Sequence, residues 1–244
     1  MKNRMIAPAV VLGFCAVICT LLFTFAWKQR AQYNQTLTVA GSAVQSFGSD
    51  LGILRGSLGA SGSSIQDSFA GLSRQKPLLL SYLKGEGFVE NMVEFYPPTF
   101  NTVYKYDQHG NQTGEILRYE YYQRFALQSQ QVELIQKLSL NLAGLVDQGV
   151  FVTVEPPEYI YTKLADLKID VQAAAAKDAL ERAARIAEAT QARLGPMRSA
   201  RMGVLQITPL HSTQVSDYGI NDTSSIQKQI TAVVTASFGI VARR

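Results

Sequence analysis

The sequence predicts an α+β fold: long antiparallel strands, three main helices packed on one face of the sheet, and one N-terminal transmembrane helix ahead of them. Three observations predict it. A leader, Ile6–Trp27, carries no charge. Two long segments, Glu115–Ser129 and Ile226–Val241, alternate at the two-residue period of a half-buried strand. Elsewhere one grammar recurs three times: a helical pattern ends at a glycine, an apolar segment follows, and proline closes it.

As a helix the 22-residue leader would be roughly 33 Å long, close to the hydrocarbon thickness of a bilayer. Lys2 and Arg4 precede it, Trp27 ends it, and Lys28 and Arg30 follow. Thr24-Phe25-Ala26 loosely resembles a signal-peptide cleavage site. The run is longer than a usual signal core, however, and Phe23, Phe25 and Trp27 crowd that site, which favours an uncleaved signal anchor (residues 1–30). Either reading sends residues 31–244 across the membrane, and the anchor leaves the N-terminus cytoplasmic. The only cysteines, Cys15 and Cys19, lie in the leader, so the rest of the chain has no disulfide framework, thiol nucleophile or cysteine metal site. Phe14 and Ile18 stand before them, where a lipoprotein site needs a small residue. Ala9, Gly13, Ala16, Thr20 and Thr24 form a small-residue stripe on one face of the leader.

After a polar tether, Thr36–Ala43 and Leu51–Ala60 read as two strands joined by a turn around Ser46–Asp50. A helix is predicted over Ile65–Lys84, kinked or split by Pro77. The recurrent grammar places Phe88–Tyr96 between Gly87 and Pro97, Val150–Glu155 between Gly149 and Pro156, and Arg198–Thr208 between Gly195 and Pro209. Phe100–Tyr106 and a turn at His109-Gly110-Asn111 lead into Glu115–Ser129. There Tyr119, Tyr121, Phe125 and Leu127 share one side, with Glu120, Tyr122 and Arg124 on the other. A helix over Gln131–Val146 follows.

The firmest pattern is a helix over Asp170–Leu194, with Val171, Ala175, Ala179, Ile186 and Leu194 on a narrow apolar face. Lys177–Glu181, Asp178–Arg182 and Glu181–Arg185 stand at ion-pair spacing. Gly195-Pro196 supplies a stop signal. Asp166 or Asp170 is a candidate N-cap. No long linker divides residues 31–244, so they read as one unit, with the option of two lobes meeting near residue 110.

Chemistry is sparse. A net charge of +4 and a pI near 9.0 come without any long Lys/Arg run, and Arg182, Arg185 and Arg193 are interleaved with Glu181 and Glu188, unlike a nucleic-acid stripe. His109 and His211 are the only histidines, and both fall in polar loops or turns. No metalloprotease, nucleophile-elbow, phosphate-loop or dinucleotide motif occurs. Asp166, Asp170, Asp217 and Asp222 are loosely grouped, and a hydrolase would need some of them to converge with a histidine. Their simpler roles are helix caps and turns. Accordingly no catalytic, cofactor-binding or metal residue is predicted, and no cofactor. Asn34, Asn111 and Asn221 begin N-x-Thr triplets. The dense aromatics (Phe95, Tyr96, Phe100, Tyr104, Tyr106, Tyr119, Tyr121, Tyr122) fit either cross-strand pairs on a sheet or a subunit interface.

Several stretches resemble the SIMPL-domain family: Tyr159–Lys168, Ala174–Ala183, Leu194–Pro209 and Ser216–Lys228. Thr38–Ala43 followed by Asp50–Ser57 resembles its opening strands, and Ser49-Asp50 departs from a common proline or lysine before the aspartate. The likeness covers about residues 35–242 and is closest to the bacterial membrane-anchored branch. It implies a bacterial envelope protein, anchored in the inner membrane, whose outer α+β domain self-assembles into a ring or cage, with a loose link to stress tolerance. It implies no catalytic residues.

The expectation is therefore a non-enzymatic, anchored homo-oligomer whose partners are other copies of itself and the bilayer, and not nucleic acid. The long strands Glu115–Ser129 and Ile226–Val241 would extend pairing between subunits. The alternative is a lipid- or small-molecule-binding module with a pocket among the mid-chain aromatics.

Overall fold

The computed structural model describes residues 6–33 and 35–242. Helix α1 (Ile6–Tyr33) is continuous over 28 residues. Among the described residues no helix is long and apolar enough to cross a membrane. The anchor expected at Ile6–Trp27 and the small-residue stripe through Ala9 take in positions whose side chains lie outside the described residues, as do Lys2, Arg4 and Asn34.

Beyond α1 come β1 (Thr36–Gly48), β2 (Leu51–Gly62), α2 (Ile65–Gly85), β3 (Val93–Phe95), β4 (Thr99–Tyr106) and β5 (Gln112–Ser129). They are followed by α3 (Val132–Asn141), β6 (Phe151–Val154), β7 (Glu158–Ile160), α4 (Leu164–Ala189), β8 (Ala192–Met202), β9 (Gln206–Pro209), β10 (Ile220–Asn221) and β11 (Gln227–Ala242). The expected α+β class is found, but the strands form two sheets. One runs β1-β11-β9-β10 with β8 also on β11; the other runs β3-β5-β2-β6 with β4 on β5 and β7 on β2. Every pairing is antiparallel except β9–β10.

The first two strands do not pair with each other. β1 lies along β11 and β2 lies between β5 and β6, so the chain changes sheets at Ser49-Asp50. Each strand needs a different cover. β2 offers Leu54 and Leu58 to a core with Leu79, Phe125 and Ile135, whereas β1 offers Val39 and Gly41 to the alanine face of α4. The helices divide accordingly and do not share one sheet. α2 and α3 cover the second sheet, and α4 alone covers the first. Residue 110 is the tip of the β4–β5 hairpin, while the passages between sheets lie at Ser49-Asp50 and between β7 and α4.

Helix α2 is capped by Ser64, whose hydroxyl accepts the Asp67 N–H at 3.1 Å. It passes through Pro77 unbroken, because Leu72 and Gln75 before the proline and Leu79 and Leu83 after it stay in one buried stripe. α3 stops at Asn141 and tightens into a 3-10 turn over Leu142–Gln148. That turn keeps Leu142 and Leu145 buried, and Gly149 ends it at φ 78°. Of the three recurrent units, the first yields a 3-10 turn and only a short β3, and the second yields β6.

The third unit fails. α4 ends at Thr190-Gln191, where Gln191 takes the left-handed conformation (φ 54°). Gly195 and Pro196 instead lie inside β8, because Ala192–Leu194 gain a ladder with β11. Pro196 falls where the β8–β11 register slips, the kind of place a strand tolerates a residue without an N–H. Neither Asp166 nor Asp170 caps α4; Lys163 holds the cap position with no side-chain bond, and Asp166 sits in the first turn, where it complements the helix dipole. The buried face is Leu167, Val171, Ala175, Ala179, Ala183 and Ala187, every fourth residue, while Ile186 is 42% exposed. Arg182 pairs with Asp178 at 2.7 Å, but Arg185 turns to Glu188 and not to Glu181.

β11 is the spine of the first sheet, paired on one side with β1 and on the other with β8 and β9. α4 approaches so closely that a Cβ on Gly41 would stand 2.2 Å from the Ala179 amide nitrogen and 2.4 Å from the Ala175 carbonyl oxygen. Gly41→Ala is therefore expected to cost about 3 kcal/mol or more in urea unfolding, since backbone must move to admit it. Gly114→Ala, where nothing lies within 4 Å, is expected to stay within about 0.5 kcal/mol of the parent.

Candidate functional site

The residues considered for catalysis do not come together. His109 is exposed in the β4–β5 turn, where its N–H and that of Asn111 donate to Asp107. His211 follows β9 at φ 64°, its N–H donating to Gln229. Asp166, Asp170 and Asp217 are exposed. The Asp222 carboxylate is occupied by the N–H and hydroxyl groups of Ser224 and Ser225. Among the described residues no three His, Cys, Asp or Glu side chains gather as metal ligands would. The mid-chain aromatics form ring pairs on the second sheet, Phe100 and Phe69 against Tyr121 and Phe95 against Phe125. Phe151 and Tyr122, 62% and 40% exposed, flank an open cleft of about 400 Å³ above Ser57, Gly59 and Glu120.

The most constructed polar cluster is the seam between the sheets. Lys228 of β11 is 3% exposed, and its ammonium donates at 2.6 Å to the carbonyls of Tyr159 on β7 and of Asp222. Burial pushes its pKa down, and the nearby Asp222 carboxylate partly offsets that. Asp50, where β1 passes to β2, accepts the Thr162 hydroxyl at 2.6 Å and the Thr162 N–H at 2.7 Å. Desolvation pushes the Asp50 carboxyl up, but those bonds, its own backbone N–H and Lys163 together hold it below the ordinary range. Ser49 and Asp50 donate their N–H groups to Ile226 and Ile160, one on each side of the junction. Sequence reasoning missed Lys228, although a signal exists: it occupies the same parity in β11 as the buried Ile230, Ala232, Val234 and Ala236.

The second feature is an edge. Most free strand edges here carry ordinary guards against adding another strand. β8 has Pro196, two register slips and three arginines; β4 has two slips and Lys105; β3, β6, β7 and β10 are short. β1 is different. It runs 13 residues, pairs with β11 in unbroken register, and holds no proline and no charged residue. Among the described residues, one side-chain hydrogen bond reaches its outer edge: the Ser42 N–H donates to Asp178 of α4 at 2.7 Å. The Ser42 N–H and the Arg182 guanidinium hold the Asp178 carboxyl below its usual range against desolvation. Beside that contact a groove runs between the edge and α4, lined by Val39, Ala40, Glu181, Arg182, Arg185 and Ile186.

Two helix-backed, mainly antiparallel sheets joined by a polar seam define the class: an α+β domain. Residues 37–238 match the SIMPL family, described as a protein of unknown function (DUF541), and the chain belongs to that family. The match begins at the second residue of β1 and takes in both sheets. No curated protein matches the chain.

The seam gives stability a pH dependence. Asp50 and Asp222 have folded pKa values below their unfolded ones, so each adds stability above the ordinary carboxylate range that is lost as pH falls through the folded value. Lys228 carries the opposite sign of charge. Its folded pKa is also depressed, so its burial penalty is relieved as pH climbs from the folded value to the ordinary lysine value. Urea melts of Asp50→Asn should show lower stability than the parent at pH 7 and a shallower decline below about pH 4. An acid limb identical to the parent's would remove Asp50 from this role.

Proposed function

We propose that the protein is a non-enzymatic component of a bacterial envelope, anchored by its N-terminal helix, whose outer domain self-assembles into a ring- or cage-like homo-oligomer. The observation that carries this reading is the open edge of β1: a long, flat, uncharged edge strand is a template for pairing with another chain. The origin of the pairing differs from the expectation. β11 is enclosed on both sides, and β5, paired with β2 only from Tyr119 onward, leaves on that side a start that carries Glu115 and Arg118, so the uncharged edge falls to β1. The envelope role and its link to stress tolerance follow from the resemblance in the sequence, the matched family itself being of unknown function, and α1 covers the apolar leader.

Light scattering of the detergent-extracted full-length chain, with the detergent contribution subtracted, is expected to return a multiple of the 26.8 kDa protomer. A protomer mass at micromolar concentration would sink the proposal.

The cleft between Tyr122 and Phe151 favours a second reading, a module that takes a small apolar ligand against exposed aromatic rings. Native mass spectrometry separates the two. A co-purifying small molecule lost in Phe151→Ala, from a protein that stays monomeric, would replace the first reading with the second.

A further inference from the structure

We infer that two copies of the chain pair through β1, antiparallel, about a two-fold axis beside Ala40, bringing their α4 helices side by side. The inference rests on the self-assembly reading and names the surface that would carry it.

The backbone sets which groups are available. In an antiparallel pair, residues alternate between those that bond to the partner strand and those that point away. Ser42, opposite Val233 of β11, gives its N–H to Asp178, and Gln35, opposite Ile240, accepts from the Ile240 N–H. The even-numbered residues of β1 therefore turn their N–H and C=O groups outward. Pairing Thr36 with the partner's Val44, Thr38 with the partner's Ser42 and Ala40 with the partner's Ala40 would satisfy them reciprocally.

Side chains permit that register. On the face away from α4 it sets Ala40 against its own copy and Thr38 against Ser42, all small and exposed. On the helix face it sets Val39 against Gly41.

The helices then meet beside the same joint. α4 rests on both β1 and β11, with Ala179 against Gly41 and clustered with Val39, Ala236 and Phe238. With strands about 4.8 Å apart across the joint, the two α4 axes would lie about 10 Å apart, an ordinary helix–helix spacing. The side of α4 along the groove reads Asp178, Glu181, Arg182, Arg185, acidic then basic. Two antiparallel copies centred between residues 181 and 182 place Asp178 against Arg185 and Glu181 against Arg182, each twice. Ala40 lines the same groove as Glu181 and Arg182, so the strand joint and these helix charges face one stretch of that groove. Exposed ion pairs of this kind select register more than they add affinity. Asp178 has two uses: in the single chain it occupies the Ser42 N–H, and in the pair it releases that donor to the partner's Thr38 carbonyl and turns to the partner's Arg185. An isologous contact closes at two copies, so a larger ring or cage built on it has an even number of subunits.

The test uses the full-length chain in detergent with Cys15→Ala and Cys19→Ala. Ala40→Cys is expected to form a disulfide dimer under mild oxidation, because Cα atoms about 5.5 Å apart suit the bond. Thr36→Cys alone should not, since its copies would lie roughly 27 Å apart along the strands, whereas a mixture of Thr36→Cys and Val44→Cys proteins should cross-link. Asp178→Arg should weaken the pair about tenfold in sedimentation, and adding Arg185→Asp should restore most of it. A parent oligomer of unchanged mass in Asp178→Arg, with no Ala40→Cys cross-link, would overturn this interface and leave self-assembly standing. Equal cross-linking by Ala40→Cys and Thr36→Cys would overturn the register. A monomeric parent would overturn both readings.

Discussion

The contact between Gly41 and α4 governs the first sheet. A helix normally stands about 10 Å from a sheet on large side chains, but here Ala175 and Ala179 rest on a strand position with no side chain at all. Alanine at every fourth position of the buried face is the matching half of that arrangement. Each alanine buries little area, so the layer depends on many close dispersion contacts rather than a few large anchors. The low seat of α4 has a second effect. It brings Asp178 within reach of the outer backbone of β1, which a helix held off by leucines would not do. Packing inside the sheet and access to its edge are thus set by the same missing methyl group.

The two sheets have separate cores, and where apolar contact crosses their junction, as at Phe47 against Tyr161 and Ile226 against the second core, polar groups fix its geometry. The seam does this with backbone groups and three charges. Lys228 reaches from β11 to the Tyr159 carbonyl on β7, and Asp50 ties the β1–β2 passage to Thr162, ahead of α4. A buried ammonium costs free energy unless its protons are accepted, and two carbonyls at 2.6 Å accept them. Leucine at position 228 would pack without that cost, but would leave carbonyls unpaired at the place where one sheet is aligned on the other. The polar groups specify the junction by direction, which apolar packing alone does not.

What was legible in the sequence is what local pattern determines. β5 and β11 were visible because alternation over so many residues has no helical explanation. α2 was visible as a helical stretch over Ile65–Lys84, and the apolar face of α4 through Val171, Ala175 and Ala179. What was not legible depends on partners far along the chain. Gly48-Ser49-Asp50 has the composition of a hairpin turn, and only the different covers required by Val39 and Leu54 send β1 and β2 to different sheets. Gly195-Pro196 is a sound helix stop by local chemistry, yet β11 offers Ala192–Leu194 a ladder, which local propensity cannot weigh. Lys228 shares the buried parity of β11, but the carbonyls of Tyr159 and Asp222 that accept its protons are brought to it only by the meeting of the two sheets.

An edge strand without guards is a hazard to a freely diffusing protein, and the sequence spends proline, bulges and charge on blunting β4 and β8. The same devices were available at β1 and are absent. Its outward groups could have been blocked by one lysine; instead they are met by one aspartate on a neighbouring helix, a guard that can leave. On the anchored reading this difference has a physical use. Chains held in one membrane meet at high effective concentration and restricted orientation, so a contact too weak for dilute solution can still be populated there. A reversible guard suits that setting better than a permanent one. Asp178 supplies a single hydrogen bond at Ser42, enough to occupy the centre of the edge in an isolated chain. It is outnumbered when a second strand presents donors and acceptors along the whole of Thr36–Val44.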